Sequence, residues 1–349
     1  MGRNHSGRTQ RQQVIAGGNR RLATMNPTPA VAPLDIDAAA ARLAGHVRVT
    51  PVMAIASADL DLTTRSSASA NLTLKLELLQ HVGSFKPRGA FNRVLSAGEV
   101  PPAGLIAASG GNHGAAVAFV ARSLGLAAEV FVPSSSPAMK RDRIASLGAT
   151  VHIIDGLYDD AQAAATSRQA ITGALAVHPF EHAQVVAGQG TMARELEQQM
   201  DELERGFDTV LVASGGGGFT AGQAAWFTGR KKVVSVEPET SQCLHAARLA
   251  GEPVEVGVAG VAADSLGAKR LGSVAWSIVQ HYVAESVTVS DDAIRGAQRL
   301  LWDRLRLVVE PGGATALAAL QSGAYTPEPD ERIVVVVCGS NCDPATVMG

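Results

Sequence analysis

The stretch TVLVASGGGGFTAG, residues 209–222, passes from a β-branched apolar run through four glycines into an Ala-rich segment. An apolar run that does not alternate predicts a strand buried on both faces, as in a parallel sheet covered by helices. Consecutive glycines let backbone N–H groups turn inward around an anion, and a helix start adds its partial positive charge. A phosphate suits such a loop; a tight strand-to-helix turn is the plainer alternative. A Walker loop would end in Gly-Lys-Ser/Thr, and this one has no lysine. A dinucleotide fingerprint would open the first βαβ unit, whereas this loop comes late. Glu237 does stand near the distance of a ribose-binding acid, which keeps a nicotinamide oxidoreductase as a competing reading.

The same punctuation recurs on both sides of this stretch. LTLKLELL (residues 72–79) alternates with period two, and EVFVP, TVHII, VVSVEP and RIVVVVCGS are short β-branched runs ending in turn residues. Ala-rich segments of helical spacing, such as GAAVAFVARSLG and TMARELEQQMDEL, lie between them. Strand-helix-strand repetition predicts an α/β fold with parallel, doubly wound sheets. At 349 residues the chain exceeds the size at which one core stops growing, so two domains are expected. Ligands in such sheets bind beyond the carboxyl ends of the strands. That singles out three loops: ASGGNHGAA, ASGGGGFTAG and CGSN. No period typical of a solenoid repeats.

Charge and composition narrow the partners. Lys+Arg 30 against Asp+Glu 32 leaves a formal charge of -2, so no global field recruits nucleic acid or a membrane. A small molecule is the expected partner. No apolar run approaches the ~18–20 residues that span a bilayer. Cys243, Cys338 and Cys342 are too few for a disulfide framework, and a reducing cytoplasm is expected. Cys338 and Cys342 lack a second pair and a nearby histidine, so no metal is expected there. Residues 1–33 carry five arginines, no acid and a Pro-Ala-rich end. They are expected to be a disordered basic extension without the apolar core of a secretory signal. Met25 is an alternative start.

HVGSFKPRGAF, residues 81–91, sets a single lysine, Lys86, between Gly-Ser-Phe and Pro-Arg-Gly. A solvated lysine tolerates this setting but does not need it. A lysine so placed, a phosphate cradle and a late strand ending in a small polar side chain suggest pyridoxal phosphate, whose aldehyde forms a Schiff base with lysine. The wider text resembles the serine/threonine dehydratase (threonine ammonia-lyase) family of fold-type II pyridoxal-phosphate enzymes, the tryptophan synthase beta-like architecture. KLELLQHVGSFKPRGAF is similar to the lysine segment of that family. SGGNHGAAVA, VPSSSPAMKRDRIASLGATV, HPFEHAQVVAGQGTMARELEQQ, SGGGGFTAG, VEP, EPGGATALAA and CGSNCD follow in the family's order, over roughly residues 45–343.

The resemblance implies roles, position by position. Lys86 holds the cofactor and is the base at the substrate α-carbon. Phe85 packs against the cofactor ring, and Gly215, Gly216, Gly217 and Gly218 bind its phosphate through backbone N–H groups. Asn112 meets the phenolic oxygen, Cys338 the pyridine nitrogen, and Glu310 lies near the cofactor face. Ser109, Gly110, Gly111, Asn112 and His113 hold the substrate carboxylate at a helix start, which suits an anion. His113 is equally readable as a structural histidine, and Glu310 as an acid favourable to the helix that follows it. A thiol at position 338 offers the ring nitrogen only a neutral hydrogen bond, so the cofactor is a weaker electron sink than with an aspartate. That cysteine and AADSLGAKRLG resemble the mammalian-type serine dehydratase branch.

Departures sharpen the expectation. Racemases of the family carry a serine before Gly-Asn-His, and here that position is Gly110, which cannot transfer a proton. Their divalent-ion site uses the glutamate of V-E-P and an aspartate about six residues on; Glu237 is present, but Gln242 or Cys243 stands in for the aspartate. Sulfhydrylases show Gly-Asn-Thr where this chain has His113. No allosteric C-terminal domain is expected, since eight residues follow Asn341. The implied enzyme is an ammonia-lyase (dehydratase) acting on L-threonine or L-serine. Alternatives are a lyase for another β-hydroxy amino acid such as 3-hydroxyaspartate, an amino-acid racemase, and a non-catalytic cofactor-binding protein. The expected layout is a large cofactor domain of residues 34–98 and 184–349, a small mobile domain of residues 99–183, and a homodimer.

Overall fold

The computed structural model describes residues 1–2, 28–60 and 71–348. Ten strands form two sheets: β1 (Val52–Ala56), β2 (Asn71–Lys75), β3 (Leu105–Ala108), β4 (Ala128–Pro133), β5 (Thr150–Ile154), β6 (Leu175–Ala176), β7 (Thr209–Ala213), β8 (Lys232–Pro238), β9 (Glu285–Val289) and β10 (Arg332–Val336). The six-stranded sheet runs β1-β2-β10-β7-β8-β9 and the four-stranded sheet β5-β4-β3-β6. Every pairing is parallel except β1 with β2, an antiparallel edge. This is the doubly wound α/β architecture expected, with one added reversal. β7 and β10 are buried almost throughout, which explains why their sequences do not alternate.

Eight helices matter to the site: α1 (Pro33–Leu43), α2 (Lys86–Leu95), α3 (Asn112–Leu124), α4 (Ala138–Ser146), α5 (Tyr158–Thr172), α6 (Ala183–Glu202), α7 (Gly218–Phe227) and α8 (Cys243–Ala250). α6 packs against α1, α2 and α7. Two of its glycines make this possible. A Cβ on Gly188 would lie 2.5 Å from the Arg88 carbonyl of α2, and one on Gly190 would lie 2.8 Å from the Gly222 carbonyl of α7. Backbone-to-backbone contact on both sides of α6 thus holds the lysine helix and the glycine-loop helix at a set distance. The apolar face of α2 (Ala90, Phe91, Val94) joins the core of the four-stranded sheet with Leu105, Ala107 and Val117. α2 is therefore shared between the two layers.

Two expectations need correction. The period-two run at residues 72–79 is a strand only to Lys75, and Glu77–Leu79 closes as a 3-10 turn. Its polar side does not face water either, because Lys75 and Glu77 are fully buried. Arg88 of α2 explains this: it donates to both oxygens of Glu77 at 2.8 Å and to Glu195 Oε2 at 2.8 Å. Lys75 donates to Glu195 Oε1 at 2.6 Å and to the Thr50 carbonyl at 2.7 Å. Burial opposes the charge on Glu77, but Arg88 and Lys75 outweigh it and hold the carboxyl below its usual range. The basic extension expected over residues 1–33 lies outside the described residues from 3 to 27, as does Met25. Its last residues belong to the fold: Val31 is 2% exposed, Ala30 N donates to Ser277 Oγ at 3.0 Å, and α1 begins at Pro33.

Candidate active site

The three loops singled out in the sequence leave the carboxyl ends of β3, β7 and β10, and they converge with the lysine segment. Ser84 and Gly339 form an antiparallel bridge, Phe85 N donates to the Cys338 carbonyl at 3.3 Å, and Ser340 N donates to the Gly83 carbonyl at 2.9 Å. This short contact carries Lys86 to the end of β10. Lys86 is the first residue of α2, where Pro87, lacking an N–H, is tolerated. Among the described residues its ammonium has no carboxylate within salt-bridge distance and donates to the Pro179 carbonyl at 3.3 Å. Burial pulls its pKa down to about 8, against the opposing pull of Cys338 and Glu310. A half-buried lysine whose pKa is lowered toward neutrality is a nucleophile and a base in waiting.

The glycine loop is a cradle that side chains would fill. A Cβ on Gly216 would lie 2.5 Å from the Phe180 ring, on Gly218 2.8 Å from Phe180, and on Gly215 3.0 Å from Leu266, while one on Gly217 would collide with the Leu271 side chain. Gly217 sits at φ +84 as the N-cap of α7, a left-handed conformation that glycine adopts without strain. Ser214 and Thr220 brace the loop by a 2.7 Å hydroxyl contact. Directly behind it, the Phe219 ring stacks on Phe85 at 3.9 Å between centroids, so one face of Phe85 is taken by a protein neighbour that the sequence did not reveal. The Lys86 ammonium stands 5.0 Å from the Phe85 ring centroid.

In the loop after β3, Gly111 is the N-cap of α3 and its N–H bonds Ser109 Oγ at 3.2 Å. The first-turn N–H groups of α3 have no acceptor within the helix and are available to an anion. Gly110 has no room for a side chain: a Cβ there would collide with Ser136 Oγ and lie 2.7 Å from Ser136 Cβ. The His113 imidazole is buried and donates from Nε2 to the Val177 carbonyl at 2.7 Å. Burial and the nearby Lys86 push its pKa down to about 3, so the ring is neutral and structural, leaving the backbone N–H as its contribution to the loop. Asn112 donates from Nδ2 to Glu310 Oε1 at 2.6 Å and accepts on Oδ1 from Asn341 Nδ2 at 2.6 Å. Glu310 is the N-cap of the helix Pro311–Ser322, but its carboxylate does not cap that helix. It turns instead toward Asn112, leaving Oε2 buried without a partner, and burial lifts its pKa to about 7. Cys338 is 3% exposed, its Sγ lies 3.6 Å from the Gly312 carbonyl, and burial raises its pKa so that the thiol stays neutral.

Glu237 is spoken for elsewhere. Its two carboxylate oxygens accept from Leu244 N at 2.9 Å and His245 N at 2.7 Å, fastening the start of α8. Cys243, with Gln242 one of the two residues read at the position of the racemase aspartate, points its Sγ to the Gly215 carbonyl at 3.2 Å.

With that geometry in hand, likeness to known proteins is decisive. Residues 43–339 match the family described as pyridoxal-phosphate dependent enzyme. The chain belongs to that family. The biosynthetic L-threonine dehydratase of Haemophilus influenzae is 38% identical over 255 residues, covering 72% of this chain and 49% of that protein. The chain spans about half the length of several curated threonine dehydratases that it matches. A serine racemase of Oryza sativa subsp. indica is 31% identical over 87% of this chain and 89% of its own length. The crystal structure of a threonine deaminase from T.th. superposes with a TM-score of 0.82 at 34% identity, covering 89% of this chain and 99% of that one. The architecture is that of the fold-type II pyridoxal-phosphate enzymes.

The residues present suit this cofactor. The glycine cradle would hold a phosphate, Lys86 offers an amine without a carboxylate partner, and the buried Ser84 Oγ and Glu310 Oε2 lack protein partners. Sequence reading missed Phe219, Ser136 and Asn341 as parts of the site. Asn341 stood within a quoted motif, but only its contacts mark it. Among the described residues no helix is long and apolar enough to cross a membrane, and no cluster of His, Cys, Asp and Glu has metal-binding geometry.

Proposed function

We propose that this chain is a pyridoxal-phosphate ammonia-lyase that removes water from L-threonine or L-serine and releases a 2-oxo acid and ammonia. The observation that carries this reading is the pairing of a half-buried amine without a carboxylate partner among the described residues, Lys86, with a glycine at 110 that is packed against Ser136. The site then has one base at the substrate α-carbon and no side chain at 110 to return a proton from the opposite face. The likeness to threonine dehydratases supports it.

When bound, the cofactor supplies an electron sink for cleavage at the α-carbon. Lys86, with its pKa near 8, would take the α-proton while the β-hydroxyl leaves with a proton as water; the released enamine tautomerises and takes up one water to give the 2-oxo acid and ammonia. Ser109 and the first-turn N–H groups of α3 orient the substrate carboxylate. The glycine cradle would hold the phosphate, and Asn112 would meet the phenolic oxygen. The neutral Cys338 thiol would meet the ring nitrogen with only a weak hydrogen bond, so the cofactor would be a weaker electron sink, which favours prompt loss of the β-hydroxyl. Residues 99–183 act as a small domain that closes on the substrate and excludes water. The enzyme is placed in the cytoplasm, which suits its three free cysteines, and as a homodimer, an inference from the family resemblance.

The test is to load the purified protein with pyridoxal phosphate and give it L-threonine, L-serine and their D-forms separately. Equal yields of 2-oxo acid and ammonia from an L-form establish the lyase and rank its substrates. Interconversion of L- and D-serine without either product would instead support the racemase reading, which the rice relative favours. A spectral response to amino acids with no product would redirect the search to other β-leaving groups, 3-hydroxyaspartate first.

A further inference from the structure

Asn341 closes the loop after β10, and its amide lies between two groups whose hydrogen-bonding sense admits one orientation. Nδ2 sits 2.8 Å from the Val82 carbonyl, which can only accept. Oδ1 takes a hydrogen bond from Arg143 Nη1, which can only donate. The remaining Nδ2 hydrogen is thereby directed at Asn112, whose Oδ1 accepts it at 2.6 Å. That decides the Asn112 amide in turn. With its oxygen held by Asn341, Asn112 presents Nδ2 on its other side, where Glu310 Oε1 accepts at 2.6 Å. Asn341 itself is seated against Gly83, where a Cβ would lie 2.9 Å from its Oδ1, and Gly83 has φ +72.

We propose that Asn341 is a positioning residue that sets which end of the Asn112 amide faces the cofactor: the donor end, toward the phenolic oxygen. This rests on the assignment of Asn112 to that oxygen made above. A donor favours the oxygen as phenolate, whereas an acceptor favours it as phenol. The outer end of the relay is Arg143, on α4 between β4 and β5, so the same pair of amides ties the four-stranded-sheet layer to the cofactor's electronic state.

The test uses the full-length, cofactor-loaded protein and its absorbance spectrum at fixed pH. Asn341→Asp keeps the size of the side chain but offers Asn112 only acceptors, so Asn112 Oδ1 loses its donor; turning the amide over would set that oxygen against Glu310 Oε1, and either way its fixed orientation is lost. The ratio of long-wavelength (phenolate) to short-wavelength (phenol) cofactor absorbance is then expected to fall about tenfold, the change that loss of one charge-assisted hydrogen bond produces. Asn341→Ala frees the amide without reversing it and lowers the ratio less; it is the variant to read should the aspartate protein not load. Asn112→Ala is measured beside them. If Asn112→Ala lowers the ratio and neither Asn341 variant does, Asn341 has no positioning role and the assignment of Asn112 stands. If none of the three changes it, the Asn112 assignment falls and this proposal with it. A merely structural role for Asn341 would lower the melting temperature and leave the ratio untouched.

Discussion

The peptide N–H of Phe85 donates to the carbonyl of Cys338 at 3.3 Å, so the residue preceding the reactive amine and a residue of the loop just beyond β10 are held by one backbone bond. The lysine's position is thus set by main chain on one side and by α2 on the other, and its own ammonium donates to the Pro179 carbonyl at 3.3 Å. Lys86→Ala is expected to fold with near-native thermal stability, to lose the absorbance of lysine-bound cofactor, and to lose all turnover. Turnover retained in that variant would remove Lys86 from the chemistry.

The depressed pKa of Lys86 gives a pH signature. Burial favours the neutral amine, so the amine deprotonates around pH 8 in the folded protein and near 10.5 when unfolded. Between those values the unfolded chain binds more protons, and the cofactor-free protein gains stability from this group as pH rises through the window. Below about pH 8 both states are protonated, and the cost of the buried ammonium is fully present. The rate at which cofactor-free protein takes up pyridoxal phosphate should accordingly rise with pH around a midpoint near 8. A midpoint near the ordinary lysine value would show that the amine is not enclosed.

Arg88 stands two residues beyond Lys86 and is clamped by Glu77 and Glu195 in the interior. Breaking one partner of such a pair leaves an uncompensated buried charge, so Arg88→Leu is expected to destabilise by about 3–5 kcal/mol in denaturant titration. Arg88→Leu combined with Glu77→Leu should cost less than the sum of the two single changes. Strict additivity would mean that the pair does not act as a unit.

Gly110 and Ser136 are in mutual contact, so a side chain at 110 requires something to move. Gly110→Ser is expected to destabilise by about 1–3 kcal/mol and to depress turnover. Adding Ser136→Gly should recover much of both losses, since it removes the atoms that a new Cβ would meet. If Gly110→Ser alone is as stable and active as the parent, the loop is looser than its packing indicates.

Glu237 is engaged by two backbone N–H groups at the start of α8, and neither Gln242 nor Cys243, read where a second carboxylate would stand, is an acid. A chelator is therefore expected to leave turnover and melting temperature unchanged. A drop in either that magnesium or manganese reverses would put a metal back into the account.

What the sequence alone determined is the part of this protein governed by local chemistry. Buried parallel strands such as RIVVV read as non-alternating β-branched runs because both faces are covered, and the glycine loop read as an anion cradle because consecutive glycines leave backbone N–H groups bare. The sequence order of the motifs carried the family resemblance and, with it, Lys86, Asn112 and Cys338. Tertiary structure alone decided what depends on distant chain segments meeting. Lys75 and Glu77 are the charged residues of a run that alternates with period two, and Arg88 and Glu195 arrive from α2 and α6 and bury them. His113 could have served substrate or fold, and the Val177 carbonyl claims its ring. Glu310 was readable as an acid near the cofactor face or as one favourable to the helix it precedes, and its carboxylate takes the Asn112 amide. The direction in which Asn112 points is set by Asn341, Val82 and Arg143, brought together from three loops and helices. Hydrogen-bonding sense and close packing are properties of neighbours in space, and no spacing within one segment of sequence encodes them.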